Sequence, residues 1–258
     1  MKLTHAAFLA AAAVVAGSYA FAEDEAPKYP ELSVTLGGAV NDGNTEDETG
    51  NLAIDFKDVF EGFEYTLGAN GNITRTTVEE TRVEADGTET KRDRKETTVK
   101  NAEAKGKILV PIASPFSAYV DGSAFVDEIA DVDYRFLVGP GIALDVVKTE
   151  TFNFALEAGI SPMWEKIDGE SEYYTMARFG ERMEYAFAGG AKVWQSAEYL
   201  PALDDSDKYL ANAEAGVESP LDDRLSLRVV LKDRYNSLPG DDNEKNDLSL
   251  TAGVRIKL

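Results

Sequence analysis

Three observations predict an all-β fold, a transmembrane antiparallel β-barrel of about twelve strands. Apolar and polar residues alternate in segment after segment, no long apolar run follows the first 22 residues, and long connections alternate with short ones. A period of two puts successive side chains on opposite faces of a sheet, so each segment has one apolar and one polar face. An apolar outside around a polar interior is what a barrel in lipid requires.

Residues 1–22 read as a secretory signal. Lys2 supplies the positive start, residues 6–17 the apolar stretch, and Ala20-Phe21-Ala22 the small-x-small cleavage site. The apolar stretch is too short to span a membrane as a helix, so the mature chain is expected to begin at Glu23, with 23–258 forming the barrel. Cleavage removes Lys2 and His5, leaving 25 basic and 47 acidic residues, a net charge of −22, and neither histidine nor cysteine. That excludes disulfides, thiolate or imidazole metal sites, and any catalytic group built on cysteine or a histidine base. No constellation of Asp, Glu, Lys or Tyr suggests an enzyme, and no cofactor is expected. So acidic a chain also argues against nucleic acid, whose phosphates need a basic surface.

The alternating segments are, in order, 31–40, 50–57, 63–74, 98–110, 116–126, 132–146, 151–164, 176–187, 191–200, 209–218, 224–235 and 247–258. In 63–74, Phe63, Tyr65, Leu67, Ala69 and Ile73 oppose Glu64, Thr66, Asn70 and Asn72. The pattern in 116–126 is mixed, with Tyr119 and Phe125 on the polar face. Segment 132–146 is the clearest: Val132, Tyr134, Phe136, Val138, Pro140, Ile142, Leu144 and Val146 share one side, and Asp133, Arg135, Gly139, Gly141 and Asp145 the other. In 151–164, Phe152, Phe154, Leu156, Ala158, Ile160 and Trp164 oppose Asn153, Glu157, Gly159 and Ser161. Segment 176–187 also fits a helix, and as a strand it places Glu181 on the apolar face. The last segment alternates Leu248, Leu250, Ala252, Val254, Ile256 and Leu258 with small or polar residues up to the final position. At ~3.3 Å per residue it can cross a bilayer core when tilted. Alone it also fits a soluble sandwich, so the connections have to decide.

Outer-membrane barrels join their strands by short periplasmic turns and longer outer loops, and an even count puts both termini on the periplasmic side. The odd connections lie near 41–49, 78–97, 127–131, 165–175, 201–208 and 236–246, the even ones near 58–62, 111–115, 148–150, 188–190 and 219–223. All odd connections except 127–131 are longer than any even one. Aromatics collect where lipid headgroups would lie: Phe56, Phe63, Phe116, Phe152, Tyr185 and Phe187 at one end, Tyr134, Trp164, Tyr199, Tyr209 and Tyr235 at the other. In 78–97 the turn signal Asp86-Gly87 suggests two strand extensions joined by a hairpin. Its basic residues Lys91, Arg92, Arg94 and Lys95 either meet lipid phosphates or pair with Glu79, Glu80, Glu84 and Glu89.

Gly43-Asn44-Thr45 after a short first strand, Gly139 and Gly141 in the middle strand, Tyr235-Asn236-Ser237 with Pro239 before the last hairpin, and Asp247 opening a terminal alternating strand resemble the uncharacterised family of salt-induced outer-membrane proteins, domain of unknown function 481. The resemblance covers about 31–258. It implies the outer membrane of a Gram-negative cell and a link to salt stress, but no reaction or ligand. Terminal strands of this kind usually end in an aromatic, whereas this chain ends in Leu258.

Asp133, Arg135, Glu157, Arg178, Arg182, Glu184, Glu214 and Arg228 are the candidate lumen charges. They belong to an inward series that includes Asp55, Glu64, Glu103, Lys105, Lys107, Asp145, Lys192, Glu198, Lys232, Arg255 and Lys257. Either they set the selectivity of a water-filled lumen or they pair and fill it. The pairing expected is of Arg135, Arg178, Arg182 and Arg228 with Asp133, Glu157, Glu184 and Glu214. Glycines read as inward (Gly68, Gly106, Gly139, Gly141, Gly159, Gly180, Gly216, Gly253) leave room. The outer loops are acidic, with Asp42, Glu46, Asp47 and Glu48, then Asp204, Asp205 and Asp207, then Asp241, Asp242 and Glu244. They are a solvated face or a meeting place for divalent cations with lipopolysaccharide phosphates. No dedicated metal site is expected. The expected partners are outer-membrane lipid, lipopolysaccharide and the barrel assembly machinery. The expected function is a narrow, cation-preferring diffusion channel for ions or small solutes, with a non-conducting structural barrel of the osmotic or salt response as the alternative.

Overall fold

The computed structural model describes residues 30–41, 46–83, 89–240 and 243–258; the signal and the boundary at Glu23 lie outside them. Twelve strands follow one another: β1 (Glu31–Asn41), β2 (Glu46–Phe60), β3 (Phe63–Val83), β4 (Glu89–Ala113), β5 (Phe116–Asp127), β6 (Val132–Lys148), β7 (Phe152–Ile167), β8 (Glu170–Ala186), β9 (Lys192–Pro201), β10 (Tyr209–Pro220), β11 (Leu225–Asn236) and β12 (Asn246–Lys257). Each pairs antiparallel with its neighbours in sequence, and β1 pairs with β12 to close the barrel. Every alternating segment is a strand. Segment 176–187 is no exception: its period-two face was the deciding signal, and Glu181 is the residue that blurred it.

Hydrophobic exposure is inverted relative to a water-soluble core. Leu250 is 65% exposed and Leu36, Leu67 and Ile142 each 54%, all on the outer face, while Tyr119 at 2% is among the most buried and points inward. The aromatic rings gather at two levels. Phe60 and Phe63 stack at 5.0 Å and Phe152, Tyr185 and Phe187 touch in series at the turn end. Trp164 meets Phe136 and Tyr173, and Tyr209 lies between Tyr199 and Tyr235, at the loop end.

The connections differ from expectation. The span 165–175 is mostly strand, because β7 and β8 continue to a two-residue turn, Asp168-Gly169, with φ of 50° and 79°. Two successive positive φ values suit the twist of a tight hairpin, and Asp-Gly is their sequence signature. The span 78–97 holds the two extensions its turn signal suggests. β3 and β4 stay paired from Val78↔Arg94 to Val83↔Glu89, beyond the last partners that β2 and β5 offer at Thr77 and Asn101. At the turn end, Asp222 accepts the N–H groups of Arg224 and Leu225 at 2.8 Å, which hold its carboxyl below the usual carboxylate range.

The closing seam is short, running from Ser33↔Lys257 to Gly37↔Gly253. Arg255 bolts it: its guanidinium donates to Ser33 Oγ at 2.8 Å, Glu218 at 2.9 Å and Glu31 at 3.3 Å. Replacing Arg255 with Ala is expected to destabilise the barrel by about 1.5–3 kcal/mol, the range for a lost charged hydrogen bond, read as a lower midpoint in urea. In lipid bilayers, Leu250→Arg is expected to cost about 2–4 kcal/mol and the neighbouring inward Thr251→Arg much less. Equal folding yields for the two would reverse the assignment of faces.

Candidate functional site

Alternation along each strand decides which side chains enter the lumen, and Arg135, Glu157, Arg178, Arg182, Glu184, Glu214 and Arg228 all lie on that face. Asp133 does not. A register shift between Val132 and Tyr134 makes it the extra residue of a bulge at the loop end, where it is exposed and bonds Lys166 at 2.7 Å. The same shift leaves Val132 buried at 6% rather than on the outer face.

The partners also differ from those predicted. Arg135 bonds Glu165 at 2.7 Å. Arg178 reaches Glu198 at 2.5 Å and also Asp121. Arg228 reaches Asp55 at 3.3 Å, Glu157 accepts from Lys107, Glu184 lies 4.0 Å from Lys192, and Glu214 takes Lys232 at 3.4 Å and the Trp194 indole N–H at 2.8 Å. Three of these pairs, Arg178–Asp121, Arg228–Asp55 and Lys107–Glu157, skip strands, because long side chains in a closed ring meet across its interior as well as along its wall.

The longest reach belongs to Arg234. From β11 it donates to Glu103 on β4 at 2.9 Å and lays its guanidinium 4.9 Å from the Phe125 ring on β5, the strand diametrically opposite. Glu103 also takes Lys105 at 3.1 Å and the Asn70 amide at 3.3 Å. Arg234 and Glu103 thus form a charged crossbar over the lumen. On one side of it, β4 to β11 carry most of the long charged side chains, while those on β12 and β1–β3, Arg255, Lys257, Glu31, Lys57 and Glu64, lie toward the turn end. On the other, the inward positions at mid-height of β12 and β1–β3 are neutral and short, among them Ser249, Thr251, Thr35, Asn51, Asn70 and Asn72.

The expected glycine space is partly occupied. A Cβ on Gly141 would lie 2.1 Å from the Tyr119 ring and one on Gly216 2.0 Å from Trp194, so these aromatics lie flat on the wall where glycine permits it. Gly106 faces outward beside Leu67 and adds nothing to the lumen. Cations then sit over these rings, Lys107 at 4.3 Å from Tyr119 and Arg228 at 4.7 Å from Trp194.

A dry cluster fills the loop end of β6–β10. Leu137, Met163, Tyr174, Met176, Leu200, Ala202 and Leu210 pack together, and beside them Lys208 and Glu165, each 1% exposed, form an ion pair. Such a pair is tolerated only when its remaining polar atoms are met. Here Arg135 takes the other Glu165 oxygen, and Lys208 also reaches the Leu238 carbonyl at 3.5 Å. Sequence reasoning missed Lys208 because it lies in a connection, and Glu165 because it follows the predicted strand end.

Of the acidic loop residues, Asp42, Asp241 and Asp242 lie outside the described residues. Glu46, Asp47 and Glu48 belong to β2 rather than a loop, and Glu48 takes Lys95 at 2.6 Å. Asp204, Asp205 and Asp207 lie in the loop before β10, where Asp205 accepts the Asp207 N–H at 3.0 Å, and Glu244 lies before β12. Among the described residues no three carboxylates converge as a metal site. Of the basic cluster in the β3–β4 extension, the side chains of Lys91 and Arg92 lie outside the described residues, and Arg94 lies 3.7 Å from Glu96.

The family described as "Protein of unknown function, DUF481" matches residues 34–257. Among solved structures, the NanC porin superposes with a TM-score of 0.52 at 8% identity, over 88% of this chain and 100% of that one. The KdgM porin gives 0.47 at 11% identity, over 88% and 98%. At such identities the likeness is one of fold. No curated protein sequence matches the chain.

If the crossbar persists in solution, Arg234→Ala and Glu103→Ala should be non-additive, with a coupling of about 0.5–3 kcal/mol in a double-mutant unfolding cycle. Additive losses would mean that the two side chains do not meet.

Proposed function

The chain belongs to the DUF481 family, and we propose that it is exported by its residues 1–22, inserted in the outer membrane by the barrel assembly machinery, and acts there as a narrow diffusion channel for ions or small polar solutes. The observation that carries this reading is the division of the lumen by the crossbar. Many of the charges on β4–β11 are held by partners and aromatic rings, so a solute meets its least obstructed route along the short, neutral mid-height side chains of β12 and β1–β3, with the Arg228–Asp55 pair as the constriction on that side. Such a route discriminates by size more than by charge. The acidic mouth then sets ionic preference: carboxylates such as Asp204, Asp205, Asp207 and Glu244 concentrate cations before they enter. Outer-membrane lipid and lipopolysaccharide are its surroundings, with divalent cations bridging the loop carboxylates to the lipopolysaccharide phosphates.

One observation favours a second reading, a barrel that stiffens the membrane under salt stress without conducting. The dry cluster around Lys208 and Glu165 closes the loop end over β6–β10.

Purified protein in a planar bilayer separates the two. Small current steps with a reversal potential favouring K⁺ in a KCl gradient are expected, and Arg234→Ala should enlarge the steps by removing the crossbar. Silent bilayers containing inserted protein would establish the structural reading. Preference for anions would mean that lumen arginines, not the mouth, control passage.

A further inference from the structure

Between its two levels of aromatics the outer face is apolar except in one sector. Glu181 on β8 lies on that face two outward positions from Tyr185, and Gln195 on β9 donates to it at 2.8 Å in an exposed contact. Register carries the same row onward as Glu181↔Ala197, Ala197↔Ala213 and Ala213↔Asp233. Two carboxylates thus share a row with two alanines between them, and Asp233 Oδ1 is buried with no hydrogen-bond partner. Among the described residues, these are the outward carboxylates between the aromatic levels. Lipid tails offer neither donor nor cation, so a carboxylate held against them is costly unless protein covers it.

We propose that the outer face of β8–β11 is an interface with a second copy of this chain. The occupant follows from self-complementarity. A Gln amide carries two N–H groups, of which one is spent on Glu181, and the carboxylate has lone pairs to spare. Across a two-fold axis, each Gln195 donates its second N–H to Glu181 of the other copy, so one pair of side chains supplies both halves of the contact, as an isologous interface demands. Ala197, Ala213 and Ala215 let the two walls approach without bulky side chains between them. The inference rests on the membrane reading above but not on conduction.

The chain has no cysteine, so single substitutions give clean cross-linking. Ala213→Cys, oxidised in native outer membranes, is expected to give a disulfide-linked dimer. Ile108→Cys, outward on β4 at the opposite wall, is expected to stay monomeric. Adding Glu181→Ala and Gln195→Ala to Ala213→Cys should abolish the dimer band, while heat-modifiable migration shows that the barrel still folds. Equal dimer yields from Ala213→Cys and Ile108→Cys, folded protein that stays monomeric in every variant, or dimers indifferent to the loss of Glu181 and Gln195 would each overturn the interface. Recovery of the protein in the soluble fraction would instead overturn the membrane reading beneath it.

Discussion

Closure is the constraint on which everything else depends. A backbone N–H or C=O left open toward hydrocarbon costs several kcal/mol, so an antiparallel sheet enters lipid only as a ring without edges. Here the ring is completed by the pairing of β1 with β12, extended by the Leu258 N–H on the Leu32 carbonyl at 2.9 Å. Glycine makes the join possible. A Cβ on Gly37 would fall 2.3 Å from the Ala252 carbonyl and one on Gly253 2.6 Å from that of Leu36, closer than any side chain permits. Arg255 then ties three strands at the same place, β12 to β1 through Glu31 and Ser33 and to β10 through Glu218. The final residues of the chain therefore do more for the fold than their number suggests.

Closure also dictates how the interior is filled. Inward charges in a small ring lose part of their water, and an isolated buried charge is far costlier than a paired one. The structure answers with pairs across the interior and with cations laid over rings, Lys107 on Tyr119, Arg228 on Trp194 and Arg234 on Phe125. Tyr119 and Trp194 reach those positions because Gly141 and Gly216 have no side chain to lift them off the wall. Glycines that locally read as empty space become seats for aromatic rings, and the rings become seats for charge.

The strands were legible because alternation is a local property. All twelve follow from it, including the assignment of Tyr119 and Phe125 to the polar side. The site was less legible, since which inward residue meets which depends on the offset at which the ring closes, and no segment records that. Neighbours across the interior therefore replaced the expected partners of Arg178 and Arg228, while Arg135 took Glu165, its register partner on β7. Local errors had local causes. The bulge before Tyr134 turned Asp133 to the rim, the hairpin at Asp168-Gly169 converted an expected loop into strand, and a miscounted parity put Gly106 inside.

The chain has two tryptophans, and their positions give it an optical consequence. Trp164 stands in the outer aromatic level, 40% exposed, against Phe136 and Tyr173. Trp194 lies inside, its indole N–H on Glu214 and the Arg228 guanidinium over its ring. In a bilayer the two fluorophores occupy opposite faces of one sheet. Brominated acyl chains are expected to dim the first and leave the second, which only a quencher small enough to enter the lumen reaches. Intrinsic emission can thus follow the wall and the interior separately, without a label.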